Sequence, residues 1–373
     1  MKLGLHLHGD TDIGPATDRG LRSWTVLDLD RGLISGIMSR IPRAEYKDVL
    51  IHVRQMAKLD MANHDPTVPR AKAREAARIA WELHSIWPDT TFVISPLNEP
   101  EIESGVDTKE EFEHCAWYCG VWGEELHAQY KSLSNNDSSL GTKVLLGGRP
   151  SSPGHEEDGP DTNDWGYGYA ILAPVWRLWY HILIGHLYEP TPSGASKYWY
   201  GLRIFRPPGF KDEVEGVDAG DPGGLYFAAR ELGMPILISE ANLTDVTQVG
   251  AVDRVRLWLE DVVANDPDKR IVGIHWFIWT SPDPRFRLMQ LQLRPALVDL
   301  WASWRAPQEK EEPMVQLFTV GEGVDAMLKA EADEPATDET WQGRDYSVTY
   351  GRSGKQYVYV GADNKVWVYY PKA

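Results

Sequence analysis

The sequence predicts an α/β fold, a closed (β/α)8 TIM barrel over residues 1–305, followed by a linker at 306–315 and a small antiparallel β module at 316–373. Three observations predict it. Short β-rich apolar runs alternate with longer helical patterns from the N-terminus to about residue 305. The candidate strands count to eight, the number that closes a parallel barrel. No Gly-rich phosphate-binding fingerprint follows the first run, which argues against the main rival, a doubly wound open sheet.

Taken in order, the candidate strands are 3–8, 32–38, 49–54, 91–97, 144–148, 182–188, 236–239 and 271–279, of which 32–38 carries the weakest pattern. In the first, Leu3, Leu5 and Leu7 alternate with Gly4, His6 and His8. The apolar set then faces the helices while both imidazoles point into the barrel, with His8 at its mouth. Helical patterns fall between the strands, notably at 70–86, 109–130, 223–232 and 252–264. Two long insertions, 150–168 and 189–221, follow strand ends, where barrel loops build substrate sites. The first holds several acidic residues and Trp165, and the second places Arg203 and Arg206 beside aromatics.

Beyond Arg305 the chain turns Pro- and charge-rich, then strand-like at 316–320, 346–350, 356–360 and 365–370. Tyr357, Tyr359, Trp367 and Tyr369 recur at period two, with Tyr370 beside them. That pattern fits either the core of a small sheet or a carbohydrate-binding face.

Charge narrows the partners. Across 373 residues, 38 Lys and Arg stand against 55 Asp and Glu, a net charge of -17. The acidic residues are scattered, which excludes a nucleic-acid backbone or an anionic membrane surface as the expected partner. No apolar run reaches the roughly 18 residues that a membrane span requires. The opening Met-Lys-Leu-Gly-Leu-His-Leu-His-Gly-Asp lacks the apolar stretch of a signal peptide. The expectation is a cytoplasmic protein or one released by lysis, the alternative being a mature secreted form without its leader. Cys115 and Cys119, four residues apart on a predicted helix, are expected to be free buried thiols.

The chemistry is carried by two carboxylates. The fourth run ends Ser95-Pro96-Leu97-Asn98-Glu99-Pro100, and the seventh ends Ile238-Ser239-Glu240-Ala241-Asn242. A barrel holds its active site at the carboxyl ends of its strands, so the two Glu are placed to face each other across the mouth. Such a pair suits glycosidic bond cleavage: one acid protonates the leaving oxygen while the other, ionised, attacks the anomeric carbon. In a retaining mechanism the carboxyl groups stand about 5 to 5.5 Å apart. The charge of the nucleophile then keeps its neighbour protonated near neutral pH. In the third run Arg54 is available either to orient a carboxylate or to form a structural ion pair.

Asn98-Glu99-Pro100 at one strand end with Ile238-Ser239-Glu240 at another resembles the retaining glycoside hydrolases on (β/α)8 barrels known as clan GH-A, the 4/7 superfamily. The resemblance covers residues 1–305. It implies Glu99 as acid/base, Asn98 as the group that binds the sugar 2-hydroxyl, and Glu240 as nucleophile. It further implies Tyr188, with His186 second, as the strand-six hydrogen-bond partner of the nucleophile, and a strand-eight Trp beneath the sugar. Trp276 and Trp279 have opposite strand parity, so one is expected to face the sugar and the other the helices.

The expected function is retaining hydrolysis of a β-linked oligo- or polysaccharide, with no cofactor. One alternative keeps the chemistry in a phage-type cell-wall lysin. Another is a barrel that binds carbohydrate without turnover. A third is a metal-dependent barrel hydrolase that draws on His6, His8, His52, His186 and His275.

Overall fold

The computed structural model describes residues 1–8, 12–27, 30–55, 59–97, 104, 106, 108–148, 164–188, 225–243, 245–264, 266, 268–304, 318–319, 332–341, 344–351, 354–360 and 365–369. Two compact units are present, Met1–Ala306 and Pro307–Ala373.

The first unit is a closed barrel. Its strands are β1 (Lys2–His6), β2 (Ser23–Leu27), β3 (Leu50–Arg54), β4 (Thr91–Ser95), β5 (Val144–Gly148), β6 (Ile182–Tyr188), β7 (Ile236–Asn242) and β8 (Ile271–Trp276). They pair in sequence order, and parallel pairing of β8 with β1 closes the ring. The connecting helices are α1 (Gly14–Asp18), α2 (Arg31–Ser39), α3 (Thr67–Ile86), α4 (Lys109–Leu133), α5 (Asp164–Trp179), α6 (Leu225–Leu232), α7 (Ala251–Ala264) and α8 (Pro295–Ser303).

One strand is not where the sequence places it. Residues 32–38 lie within α2, and β2 is the preceding Ser23–Leu27. Leu33, Ile34, Ile37 and Met38 recur at helical spacing, and the Asp30 carboxylate caps the helix by accepting from the Leu33 N–H. Ser-Trp-Thr-Val-Leu has the aromatic and β-branched composition of a strand, and it pairs with β1 and with all of β3.

The other helices follow local chemistry. Ala73, Ala76, Ala77, Ala80 and Leu83 form the buried stripe of α3. A full capping box starts α4: the Thr108 hydroxyl accepts from the Glu111 N–H, and the Glu111 carboxylate accepts from the Thr108 N–H. Cys115 and Cys119 lie buried on α4 and form no disulfide. No helix among the described residues is long and apolar enough to cross a membrane.

The barrel interior is graded along its axis. Leu50, Val93, Ile182, Ile184 and Leu237 form an apolar plug at the amino ends of the strands. Above it sits a polar layer, Ser23, Thr25, His52, Ser95 and His275, all buried. The plug and this layer fill the barrel interior below the carboxyl ends of the strands. Outside the barrel, three indoles seal the β8–β1 closure. Trp276 meets Trp301 of α8 edge to face at 5.1 Å, and Trp258 of α7 stacks on Trp301 at 6.4 Å. Trp301 Nε1 donates to the Gly4 carbonyl of β1 (2.8 Å).

The second unit is a five-stranded antiparallel sheet of β9 (Phe318–Thr319), β10 (Ala332–Trp341), β11 (Arg344–Gly351), β12 (Gly354–Val360) and β13 (Lys365–Tyr369), in the order β10-β11-β12-β13-β9. The sequence does not signal β10, whose Ala-Asp-Glu-Pro-Ala-Thr-Asp-Glu-Thr-Trp is acidic and carries a proline. Register shifts within Ala332–Thr337 fit an edge strand that tolerates it. Tyr357 pairs with Tyr369, and Tyr359 with Trp367.

Candidate active site

Glu240 reaches the barrel interior through an irregularity in β7. Leu237 points inward to the apolar plug and Ile238 outward to the helices, so strict alternation would turn Ser239 inward and Glu240 out. The pairing breaks that alternation. Gly185 of β6 pairs with Ile238 and the next residue, His186, with Glu240; on the other side Ile274 pairs with Ile238 and Trp276 with Ala241. At Ser239, β7 therefore carries one residue more than each neighbour. This is a β-bulge, which re-aims the following side chain. Glu240 enters the barrel, and Ala241 returns to the outer core.

Inside, Glu240 is 4% exposed and, among the described residues, meets the strand-end residues Arg54 and His6. Arg54, at the end of β3, donates from Nη1 to Glu240 Oε1. His6, at the end of β1 and fully buried, places Nδ1 3.4 Å from the same oxygen. A carboxylate in so dry a site needs a compensating charge, and the guanidinium supplies it.

An aromatic wall leads outward from this centre. The His6 ring meets Phe277 edge to face at 4.9 Å, and Phe277 meets Phe286 at 5.0 Å with the rings perpendicular. Phe286 lies 6.1 Å from the His8 ring and under the Arg285 guanidinium (5.4 Å). His8 Nδ1 is 3.4 Å from Ser281 Oγ. Phe277, Phe286 and His8 are each partly exposed, so this wall presents accessible apolar surface that begins at His6.

Beneath the carboxylate the polar layer is one hydrogen-bonded chain. Ser23 Oγ bonds His275 Nε2 (2.7 Å), and His275 Nδ1 bonds Thr25 Oγ1 (2.6 Å). Thr25 Oγ1 bonds His52 Nδ1 (3.3 Å), and His52 Nε2 bonds Ser95 Oγ (2.8 Å). Thr25 also donates to the Ser239 carbonyl at the bulge (3.5 Å). Desolvation pushes the His275 pKa down to about 3, so this imidazole is neutral at ordinary pH. His52 and His275 are thus engaged with hydroxyls. Among the described residues no group of three or more His, Cys, Asp or Glu is arranged to hold a metal ion.

The remaining predicted residues are placed unevenly. Asn98 and Glu99 lie outside the described residues, which follow β4 as far as Leu97. His186 and Tyr188 lie on β6, paired in register with Glu240 and Asn242, and their side chains are outside the described set. Trp165, expected in a loop, belongs to the first turn of α5; the helix takes up the end of the predicted insertion, and the side chain is outside the described set. The insertion 189–221 is outside it as well.

Of the two strand-eight indoles, Trp276 is the one that faces the helices. It packs on Trp301 and donates from Nε1 to the Met289 carbonyl (3.1 Å), so it is closed to a sugar. Trp279 is buried, with Nε1 donating to the Asp12 carbonyl (3.0 Å). Phe277, partly exposed and edge to face with the His6 ring, is an aromatic that sequence reasoning passed over. Its signal was available: Phe277 shares the parity of the inward-facing His275. His6 was read as inward and given a role only in the metal-dependent alternative, whereas its Nδ1 lies 3.4 Å from Glu240 Oε1.

No protein-family model matches the sequence, and no curated protein matches it significantly. Solved structures similar to the chain include the catalytic domain of a GH26 endo-β-1,4-mannanase from Bacillus sp. JAMB-750 (TM-score 0.49, 12% identity, covering 81% of this chain and 84% of that one). A second is XEG5A, a GH5 xyloglucan-specific endo-β-1,4-glucanase from a metagenomic library, in complex with cellotriose (TM-score 0.45, 12% identity, 79% of this chain and 88% of that one). A third is a GH128 endo-β-1,3-glucanase from Sorangium cellulosum (TM-score 0.43, 12% identity, 82% of this chain and 100% of that one). The barrel assignment stands on this chain's own strand pairing.

Proposed function

We propose that this chain is a retaining glycoside hydrolase that cleaves a β-glycosidic bond of an oligo- or polysaccharide by double displacement. The observation that carries the proposal is the inward turn of Glu240 at the β7 bulge, where Arg54 and His6 meet one oxygen of its carboxylate. A buried carboxylate with a compensating guanidinium at the carboxyl end of a barrel strand is equipped to act as a nucleophile.

In this reading a Glu240 oxygen attacks the anomeric carbon as the bond to the leaving oxygen breaks, and Glu99 gives its proton to that oxygen. Glu99 then takes a proton from water, whose oxygen attacks the same carbon and returns Glu240 to its ionised form. Asn98 holds the sugar 2-hydroxyl, and Tyr188 and His186 serve the carboxylate from β6. Phe277 offers the apolar face for the sugar beside the scissile bond, the part first assigned to Trp276 or Trp279.

The test uses the full chain with a panel of aryl β-glycosides and β-linked polysaccharides. Glu240→Ala is expected to abolish turnover while sugar binding persists, and Glu240→Gly is expected to regain turnover of an activated aryl glycoside with added azide. Undiminished hydrolysis by Glu240→Ala rejects the nucleophile. Binding without turnover by the unaltered chain favours the non-catalytic barrel.

A further inference from the structure

We propose that His6 is a positioning residue for Glu240 and joins the nucleophile to the aromatic wall of the cleft, an inference that rests on the reading of Glu240 as nucleophile. Arg54 and His6 approach the same oxygen, Oε1, from different strands, β3 and β1. A single contact leaves the carboxylate free to turn about the contact axis. A second polar group held 3.4 Å from that oxygen by another strand restrains where Oε1 can sit, and with it the line of attack, to which nucleophilic rates are steeply sensitive.

His6 is itself held on two sides. Its carbonyl accepts from the Trp279 N–H (3.4 Å), which ties β1 to the segment after β8. Its ring lies edge to face on Phe277, whose orientation is set in turn by Phe286 in the 3₁₀ turn Pro284–Met289. The contacts therefore run without a break from a partly exposed loop aromatic to the carboxylate oxygen. A sugar resting on Phe277 bears on the ring that orients the nucleophile.

The contact atom is Nδ1, and this makes the proposal sharp. An asparagine amide can stand in for Nδ1, a glutamine amide reaches instead toward the Nε2 position, and leucine fills the space against Phe277 with no polar atom. His6→Asn is expected to keep kcat within about threefold of the unaltered chain. His6→Gln and His6→Leu are expected to lose kcat by about 100-fold with KM moving less than about twofold. The rate of covalent trapping by a 2-deoxy-2-fluoro glycoside should fall in parallel.

Each variant is measured alongside its circular dichroism and melting temperature, so that a misfolded protein is set aside and the comparison made between folded ones. Activity of folded His6→Leu equal to that of the unaltered chain overturns the positioning role and leaves His6 as packing. So does loss in His6→Asn equal to that in His6→Leu. Mass spectrometry of the trapped adduct separates this from failure of the underlying reading: a label away from Glu240 rejects the nucleophile itself, whatever the His6 series shows.

Discussion

Arg54 and Glu240 stand 186 residues apart in the chain and meet inside the barrel, each 4% exposed. Two charges removed from water are costly, and their attraction offsets the cost only while both remain. Arg54→Met should therefore destabilise the fold by about 3–5 kcal/mol, because it leaves a buried carboxylate without its cation. Adding Glu240→Gln to Arg54→Met should recover part of that loss, with a coupling of about 1–3 kcal/mol between the sites. Urea unfolding of the four proteins measures it, and additive single effects would show that the two side chains do not act as a pair. At this scale the sequence named Arg54 and Glu240 but left Arg54 between a catalytic and a purely structural ion pair. Composition along a strand carries no record of which distant residue lies opposite.

At the scale of elements, two glycines test the architecture with opposite signs. Gly4 lies on the inward face of β1, and a Cβ there would stand 2.2 Å from the Ser23 carbonyl oxygen and 2.7 Å from the His275 ring. Backbone atoms of a closed barrel cannot step aside, so Gly4→Ala is expected to cost about 1–3 kcal/mol or more. Gly36 lies in α2 with no atom within 4 Å of a Cβ. In a helix, Gly36→Ala should stabilise by about 0.5–1 kcal/mol. Thermal unfolding reads both, and destabilisation by Gly36→Ala would contradict the helix at Arg31–Ser39. The misplaced second strand shows how local signals compete: apolar residues at 33, 34, 37 and 38 fit a short buried run if read by content, and a helix if read by spacing. The bulge at Ser239 was beyond local reading, since an extra residue exists only relative to the strands on either side.

For the molecule as a whole, buried and half-buried imidazoles contribute to the response to acid. Desolvation lowers the pKa of His275 to about 3 and of His181 to about 4, and it lowers those of His84, His114 and His127 as well. These groups stay neutral in the folded chain at pH values where the unfolded chain, titrating near 6.5, already binds the proton. Protons thus favour the unfolded state. The part of the stability that these imidazoles control is full above about pH 6.5, falls as pH drops below it, and for His275 is exhausted by about pH 3. For His275 alone the interval corresponds to roughly 4–5 kcal/mol. Between pH 7 and 4.5, His275→Gln should therefore show an unfolding free energy less dependent on pH than the unaltered chain, by about 2–3 kcal/mol. An unchanged slope in denaturant unfolding would remove His275 as the cause.

The sequence by itself determined the barrel, because alternation of strand and helix patterns is local and eight such units have one common way to close. It also determined that a glutamate stands at the carboxyl end of the seventh strand, and that His6 and His8 share an inward face with Gly4. Only the tertiary structure decided that Glu240 turns inward, that Arg54 and His6 meet it, and that Phe277 packs on His6 while Trp276 faces the helices. Those outcomes depend on register between strands distant in the chain. Side-chain period is a property of one segment, whereas a bulge, an ion pair across the barrel and the choice of an indole's outer partner are relations between segments that exist only once the ring has closed.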